Sequence, residues 1–384
     1  MRRRSGLWRL AALFAVFALI AAACTTDDAS DTTEAPPEAT TTEAPDDGSA
    51  TTEPPDEETT TTAESMDFGD PVTLNLGHPF PAQHPIQVNM LEPYAAAVND
   101  ATDGAVTIEF QAGGALAAAP ATFENTVAGG QELGWALQGY HSGLFPVTEV
   151  IEQPFQFTSA MQATQTLWDL YDEFPALQDE YSDVQLLGLW VHDIGDLWTK
   201  DQRVETLEDV EGLTLRFPTR ILSLVIEEMG GSPVGMPAPQ IFDSLSTGVI
   251  DGLMIAVSGL QSFQLYPELS FRTVCDCYVA AQYLVMNLDT WNSLTPDTQT
   301  LMKELGRQFS MQAAETYDAA YTTVSQIAAD EGIETITLTD DELARWHEVG
   351  RTVTESWIAE LEAQGVPAQE MFDRMQEIKA QYEG

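Results

Sequence analysis

The sequence predicts a mixed α/β fold, and residues 207–260 give the clearest reason for it. Residues 213–217 alternate as a short strand, apolar side chains follow at helical spacing, and two glycines at 230–231 end the helix. A second short helix and a buried strand at 249–255 continue the pattern as βαβαβ. Ligands of open α/β sheets bind beyond the carboxyl ends of the strands. Because Arg216 lies near the end of the first strand, we expect it at a binding crevice.

Chain length and charge are the second observation. From Asp67 onward the chain runs for about 318 residues, enough for two domains of ordinary size. This part holds 11 basic and 48 acidic residues, which gives a net charge of −37. Such a surface repels nucleic acid and anionic lipid, so we expect no nucleic-acid partner.

The first 24 residues predict a secretory signal. Four arginines among the first nine residues precede an apolar run that ends in three alanines and Cys24. The run is shorter than the roughly 20 residues that span a bilayer. This end of the run resembles a bacterial lipoprotein processing site. We expect residues 1–24 to be a lipoprotein signal peptide, with Cys24 as the lipidated first residue of the mature chain; an ordinary signal with an incidental cysteine is the alternative.

Residues 25–66 have the composition of a disordered acidic tether. They contain 13 acidic residues, many threonines and prolines, and neither a basic nor an aromatic residue. Such a segment buries too little apolar surface to offset its ordering entropy, and charge repulsion extends it. Its composition would also suit O-glycosylation, which the sequence leaves open.

The next region predicts three short strands separated by helical segments, at residues 70–76, 106–110 and 133–137. The loops after them should meet at one edge. His84 in the first loop, and Gln138 and Tyr140 after the third strand, are therefore candidate ligand-binding residues. Trp135 within that strand is another candidate. For the two aromatic side chains a place in the core or at its rim is the alternative, and for His84 a local bond to backbone.

The rest of the chain continues the alternation of strands and helices. A buried strand at 184–191 leads into His192, and 278–286 reads as another strand. Thr295 and the following proline begin a helix of some 34 residues, about 50 Å long. A last strand at 334–338 and two further helices follow.

Several of these stretches, in this order, resemble the solute-binding proteins of tripartite ATP-independent periplasmic (TRAP) transporters, the DctP-like family. The resemblance covers nearly all of residues 70–384. The stretches that carry it are LGHPFPAQHPIQ near residue 77, GYHSGLFPVTEVIEQPF from Gly139, GLTLRFPTR from Gly212, SPVGMP from Ser232, TGVIDGLMI from Thr247 and VMNLDTWNSLTPDTQ from Val285.

The resemblance implies a two-lobed α/β receptor of the periplasmic-binding-protein-like (Venus flytrap) type, with the long helix under both lobes as part of the hinge. Lobe I would comprise 67–193 and 282–321, and lobe II 194–281 and 322–384. It implies a non-enzymatic extracytoplasmic receptor that closes on a small carboxylate and delivers it to a TRAP membrane permease. With the lipid on Cys24, we expect the protein at the outer face of the cytoplasmic membrane.

Arg216 is the residue that the resemblance and the strand pattern both select. We expect its planar guanidinium to pair bidentately with the ligand's carboxylate. A structural ion pair between the lobes is the alternative. Arg220, one turn on, should brace the junction through Glu227 or Asp243. His192 matches a histidine in the family branch that has PTR after the arginine.

The chain departs from better-known branches of the family at two places. Those branches carry a second arginine near position 196, where this chain has Asp196. We therefore do not expect a ligand that needs two cationic side chains to bind it. Residues 253–257 are apolar where many relatives carry polar or acidic groups, so we expect no metal or other cofactor. Leu253, Ile255 and Val257 share one face if extended. With Trp135 or Tyr140 opposite, they would suit an aromatic or branched aliphatic carboxylate.

Two points stay open from the sequence. Cys275 and Cys277 are either two small residues beside a strand, which we favour, or a strained local disulfide. A secreted, lipid-anchored hydrolase or lyase with an unrecognised site is the alternative function, although no common catalytic or phosphate-binding motif is present.

Overall fold

The computed structural model describes residues 66–382. The predicted signal peptide, Cys24 and the tether as far as residue 65 lie outside the described residues. Within residues 66–382, no helix is long and apolar enough to cross a bilayer.

Eleven strands in this part of the chain form two sheets. The first has the order β2-β1-β3-β10-β4 and the second β11-β9-β5-β8-β6-β7. The strands are β1 Val72–Gly77, β2 Val106–Gln111, β3 Leu133–Leu137, β4 Val184–Val191, β5 Gly195–Thr199, β6 Thr214–Phe217, β7 Ser232–Gly235, β8 Gly252–Ala256, β9 Phe271–Tyr278, β10 Ala281–Asn287 and β11 Glu334–Thr337.

Helices cover both sheets and give the two-lobed α/β fold. We call the first sheet with its helices the first lobe, and the second sheet with its helices the second lobe. The α-helices are α1 Glu92–Ala101, α2 Thr122–Val127, α3 Ala160–Glu173, α4 Pro175–Asp179, α5 Arg220–Glu228, α6 Ile241–Ser246, α7 Gly259–Ser262, α8 Leu288–Ser293, α9 Pro296–Asp330, α10 Asp340–Glu362 and α11 Ala368–Lys379.

The βαβαβ unit of the second lobe is confirmed as β6-α5-β7-α6-β8. Strand β6 lies between β7 and β8 and runs parallel to both. Arg216 is the last residue but one of β6, so its side chain is carried to the carboxyl edge of the sheet. The strand predicted at 278–286 is instead two strands, since the chain leaves the second sheet after Tyr278 and enters the first at Ala281.

The predicted long helix is confirmed as α9, with 35 residues and a cap from the Thr295 side chain. Its first half packs on β4 so closely that a Cβ at Gly306 would lie 2.1 Å from the carbonyl oxygen of Leu187. Its last turns reach the second lobe, where Val324 and Ala328 join the core. One rigid element therefore packs on both lobes.

Two strand connections pass between the lobes beside α9. The chain crosses from β4 to β5 through His192 and returns from β9 to β10 through Ala280. The two crossings are bonded to each other, because the His192 backbone N–H donates to the Ala280 carbonyl at 3.3 Å. Helix α11, which the sequence places with the second lobe, packs against α3 of the first.

Cys275 and Cys277 form a disulfide within β9. The unbridged pair that the sequence favours is therefore wrong. Both cysteines are buried, while Asp276 between them points outward and has a positive φ of 48°. Residues two apart in a strand already face the same side; the left-handed Asp276, in a conformation uncommon for residues other than glycine, accompanies a Cα–Cα distance of 4.9 Å, which a disulfide can bridge.

Candidate ligand-binding site

A cavity of about 50 Å³ lies between the two lobes. Five of the eight predicted ligand-binding residues line it: His84, Tyr140, His192, Arg216 and Ile255. Further lining side chains are Phe80, Ser258, Phe263, Tyr278, Gln282 and Tyr317. The first lobe, the second lobe, the crossing strands and α9 all contribute, so the cavity is complete only when the lobes are together.

Arg216 enters the cavity from β6 as an almost fully buried cation, with 1% of its surface exposed. Its Nε donates to the carbonyl of Met236 at 3.0 Å and Nη1 donates to that of Met254 at 3.1 Å. Among residues 66–382 the ion pairs of arginines involve other positions, and no carboxylate pairs with Arg216. Burial lowers the pKa of the guanidinium, which Tyr140 and Tyr278 beside it partly oppose. The chain thus buries a positive charge and supplies only neutral acceptors for it.

Tyr140 joins the two lobes at this cavity. Its hydroxyl oxygen accepts a hydrogen bond from the backbone N–H of Ala238 in the second lobe at 3.1 Å. Burial raises the pKa of Tyr140, so the hydroxyl keeps its proton. Since the oxygen already accepts a bond from Ala238, the O–H proton can be donated to an anion held by Arg216.

The neighbouring Gly139 brings the lobes into contact at the level of the backbone. A Cβ built on it would lie 2.6 Å from the Pro218 carbonyl oxygen of the second lobe. Only a residue without a side chain fits between these two segments. Gly139 does not line the cavity, so its effect is on the approach of the lobes.

Aromatic rings form the apolar part of the cavity. The Phe80 ring centroid lies 4.5 Å from that of Trp135 and 6.3 Å from that of Tyr140. Phe263 approaches from the second lobe, with its centroid 6.5 Å from Phe80 and 6.1 Å from His84. Rings from both lobes therefore meet in tilted contacts and give this part of the cavity an aromatic lining.

The polar lining groups have defined hydrogen bonds. His192 Nδ1 lies 2.6 Å from the carbonyl oxygen of Asp193. Gln282 donates to the Tyr317 hydroxyl at 2.7 Å and accepts from Trp135 Nε1 at 2.9 Å. His84 Nδ1 accepts from the backbone N–H of Ile86 at 3.2 Å, so the local backbone bond considered for this residue is present although its ring also lines the cavity.

Three predicted ligand-binding residues, Trp135, Gln138 and Val257, do not line the cavity. Trp135 is fully buried behind Phe80 and His84 and acts through them and through Gln282. The Gln138 amide donates to the Tyr181 hydroxyl inside the first lobe.

The predicted apolar wall also needs correction. Strand β8 ends at Ala256, so its alternation does not continue to Val257, which packs in the core of the second lobe. Leu253 and Ile255 belong to the same core, but Leu253 lies further back along β8, and of these three residues Ile255 alone lines the cavity.

Sequence reasoning missed Phe80, Phe263, Tyr278, Gln282 and Tyr317. For Phe80 a signal existed, since it is the aromatic residue in the loop at 77–85 that was expected to line the cleft. Tyr278 was assigned to a continuous strand, although it is the last residue before the chain crosses between lobes. Phe263, Gln282 and Tyr317 carry no local signal, because only the tertiary fold brings them to the cavity.

Arg220 makes the interlobe ion pair that Arg216 does not make. Its guanidinium donates from Nε to Glu149 of the first lobe at 2.9 Å and from Nη1 to Glu360 at 2.8 Å. The predicted partners Glu227 and Asp243 are therefore wrong. The reason is that α5 begins at Arg220, so its side chain points back across the cleft and away from its own helix.

Asp196 also has a structural role. Arg272 Nε donates to its carboxylate at 2.7 Å, and both side chains are nearly or fully buried. Neither residue lines the cavity. Within residues 66–382 no group of three or more His, Cys, Asp or Glu side chains has the arrangement of a metal site.

The comparisons with known proteins agree with this geometry. A model of the bacterial extracellular solute-binding proteins, family 7 (DctP), matches residues 76–360. The chain belongs to this family. The resemblance to TRAP solute-binding proteins is thereby confirmed, and with it a receptor that takes up small organic anions for TRAP-type secondary transport.

Three members illustrate the similarity. The outer membrane transporter protein TsaT of Comamonas testosteroni is 21% identical over 305 residues, which cover 78% of this chain and 90% of that protein. A TRAP solute-binding protein of Rhodoferax ferrireducens, solved with copurified benzoate, is 26% identical with a TM-score of 0.77 and covers 81% of this chain and 98% of its own. One from Bordetella bronchiseptica, solved with (R)- and (S)-mandelate, is 25% identical with a TM-score of 0.77 and covers 82% and 100%.

The family consists of bacterial extracellular solute-binding proteins, and the two solved relatives are TRAP solute-binding proteins. The alternative of a secreted hydrolase or lyase has no support among them.

Proposed function

We propose that this DctP-family protein is a non-catalytic receptor for a small aromatic carboxylate, which it passes to the membrane subunits of a TRAP permease. The observation that carries the proposal is the buried guanidinium of Arg216 without a carboxylate partner among residues 66–382. An unpaired buried charge is costly. A ligand carboxylate supplies the missing charge, and the guanidinium fork fits its two oxygens.

The ring of the ligand is inferred from the opposite part of the cavity. Phe80 of the first lobe and Phe263 of the second both line the cavity in a tilted contact, and Ile255 adds an aliphatic side chain. Aromatic pairs prefer such offset or tilted contacts. The relatives solved with benzoate and mandelate hold ligands of this class, which supports an aromatic over a branched aliphatic acid.

A ligand screen tests this proposal. Thermal unfolding of the purified protein should shift upward with aromatic carboxylates, since a ligand at one hundred times its Kd stabilises by about 2.7 kcal/mol. Sugar acids serve as the contrasting set. A larger shift with uronates than with any aromatic acid would contradict the ligand class, and chemical conversion of the bound ligand on prolonged incubation would contradict a pure receptor.

The proposal includes a lipid anchor on Cys24 that holds the receptor at the outer face of the cytoplasmic membrane. One acyl chain binds membranes weakly, so retention needs the several chains of a lipoprotein modification. The variant Cys24→Ser should move the protein from the membrane fraction to the soluble fraction while ligand affinity stays the same. Wild-type protein that fractionates as soluble and carries no lipid by mass spectrometry would contradict the anchor.

A further inference from the structure

His192 presents a hydrogen-bond acceptor at the cavity. A backbone carbonyl can only accept, so the 2.6 Å contact with the Asp193 carbonyl requires a proton on His192 Nδ1. Burial lowers the pKa of the ring to about 4, so at neutral pH Nε2 carries no proton. Among residues 66–382, the hydrogen bond of the His192 ring is made by Nδ1, and none is made by Nε2. The ring is 94% buried and lines the cavity.

This acceptor lies on the Arg216 side of the cavity. The His192 ring packs edge-on against Tyr278, with centroids 5.2 Å apart, and Tyr278 in turn adjoins the Arg216 guanidinium. The positive charge of Arg216 contributes to the lowered pKa of His192. Because the two residues line the same cavity, His192 Nε2 is available to a group next to a carboxylate held by Arg216.

His84 presents a hydrogen-bond donor, in contrast to the acceptor of His192, and lies among the aromatic rings of the cavity. Its Nδ1 accepts from the Ile86 backbone N–H, which can only donate, so in the neutral ring the proton is on Nε2. Burial lowers the pKa of His84 to about 3, which keeps the ring neutral. The two histidines thus offer one acceptor and one donor, on the Arg216 side and among the rings respectively.

We propose that His192 Nε2 accepts a hydrogen bond from a hydroxyl on the carbon next to the ligand's carboxylate, so that the preferred ligands are aromatic 2-hydroxy carboxylates. The inference rests on the proposed function, since it requires the carboxylate to be held by Arg216. His192 is then a specificity-determining residue: it distinguishes ligands that carry a donor at this carbon from those that do not. A buried polar group built for a hydroxyl disfavours the analogue that lacks it.

The test compares mandelate with phenylacetate, which lacks only the hydroxyl, and with 2-methoxy-2-phenylacetate, in which a methyl group replaces the donor proton. Calorimetry on the wild-type protein should give about 3- to 10-fold tighter binding of mandelate than of phenylacetate, the effect of one hydrogen bond. The methyl ether should bind more weakly than mandelate. These measurements need no variant, so equal affinity for mandelate and phenylacetate would overturn the inference even if a variant fails to fold.

Two variants then assign the effect to a residue. His192→Asn retains an amide that can donate to the Asp193 carbonyl from the position of Nδ1, and its shorter side chain has no atom at the position of Nε2. The preference for mandelate over phenylacetate should therefore fall to about one. His84→Asn is the matched control; it likewise has no atom at the position of Nε2, so it takes away the donor among the rings and should weaken both ligands while the preference remains.

The outcomes separate this inference from the proposed function. Equal affinity of wild-type protein for mandelate and phenylacetate would overturn the role of His192 and leave the aromatic-acid receptor intact. An unchanged preference in His192→Asn would do the same. Failure of every aromatic carboxylate to bind would overturn the proposed function itself, and the inference with it.

Discussion

Two arginines of the second sheet show how differently one protein can treat a buried positive charge. Arg272 in β9 is 5% exposed and Arg216 in β6 is 1% exposed. Arg272 donates to Asp196, to the Ser325 hydroxyl and to the Tyr321 hydroxyl, and its guanidinium lies over the Trp198 ring. Arg216 donates to two backbone carbonyls.

The difference indicates which buried arginine stabilises the fold and which is available to bind a ligand. The chain supplies the counter-charge for Arg272, so this pair is part of the structure with or without a solute. Around Arg216, residues 66–382 supply hydroxyl and carbonyl groups and no counter-charge. We expect removal of the first arginine to cost stability, and removal of the second to cost affinity.

The largest effect is expected at Arg272. The variant Arg272→Met leaves the Asp196 carboxylate buried without its partner, which should lower the free energy of unfolding by about 3–5 kcal/mol. Chemical denaturation followed by circular dichroism measures this. Combining it with Asp196→Asn, which keeps an acceptor for the backbone N–H groups of Cys275 and Asp276, should recover much of the loss. If Arg272→Met alone were as stable as wild type, the structural role assigned to Arg272, and with it the contrast with Arg216, would be wrong.

The next effect is the loss of affinity at Arg216. Losing one partner of a buried charge pair costs about 2–5 kcal/mol, so Arg216→Ala should weaken carboxylate binding roughly 30- to 3,000-fold. Arg216→Lys should recover part of this, because an ammonium lacks the planar fork. Calorimetry on folded protein measures both variants. Because no chain carboxylate is left unpaired, the ligand-free variant should unfold at a denaturant concentration close to wild type. Unchanged affinity would remove Arg216 from the site.

Glu152 is a buried acid that has no arginine partner among residues 66–382, and it should make the stability of the protein depend on pH. Glu152 accepts from the Ala281 backbone N–H at 3.1 Å, and burial together with the charge of Glu149 raises its pKa to about 8. The folded protein therefore holds a proton that the unfolded chain releases above pH 4.5. The stabilising contribution is complete below pH 4.5 and is lost as the pH rises to about 8.

The variant Glu152→Gln should remove this dependence. The expected difference from wild type between pH 5 and pH 8 is of the order of 3 kcal/mol in the free energy of unfolding. Denaturation curves at several pH values measure it, with Glu132, a partly exposed acid of the first lobe, changed to Gln as the control. Parallel pH profiles for wild type and Glu152→Gln would contradict the assignment.

The smallest effect is expected at the interlobe ion pair of Arg220 with Glu149. It is partly exposed, and such pairs contribute about 0.2–1 kcal/mol. Replacing both partners by Gln should therefore weaken ligand binding by no more than about 5-fold, since only the joined form of the lobes loses a contact. A loss as large as at Arg216, only four residues away, would show that the two arginines do not have separate roles.

The sequence predicted elements well where local chemistry decides them. Strand β4 was predicted with both ends correct because eight consecutive residues are mostly apolar, and α9 to within a residue because Thr295 and Pro296 mark its beginning. Strands β5 and β9 were missed. They carry Asp196 and Arg272, which look like loop residues until the fold pairs them with each other.

The same limit applies to the site. Arg216 was predicted because its position at a strand's end is a local property. Phe263, which directly follows α7, lines the cavity. The Gln138 amide does not line it and donates instead to the Tyr181 hydroxyl. Neither fact follows from spacing along the chain, because each depends on which lobe or helix a side chain meets. The end of β6 was thus predicted from the sequence, whereas the aromatic lining of the cavity requires the tertiary structure.

The backbone contact at Gly139 has a consequence for how affinity can be adjusted. Ligand binding needs the lobes together, and the apparent Kd rises as the fraction of molecules able to close falls. At Gly139 that approach is limited by one carbonyl oxygen of the opposite lobe. A methyl group there would act as a wedge and lower the closed fraction for every ligand alike. The strength of solute capture can therefore be set by a residue that never touches the solute, while the choice of solute stays with the cavity.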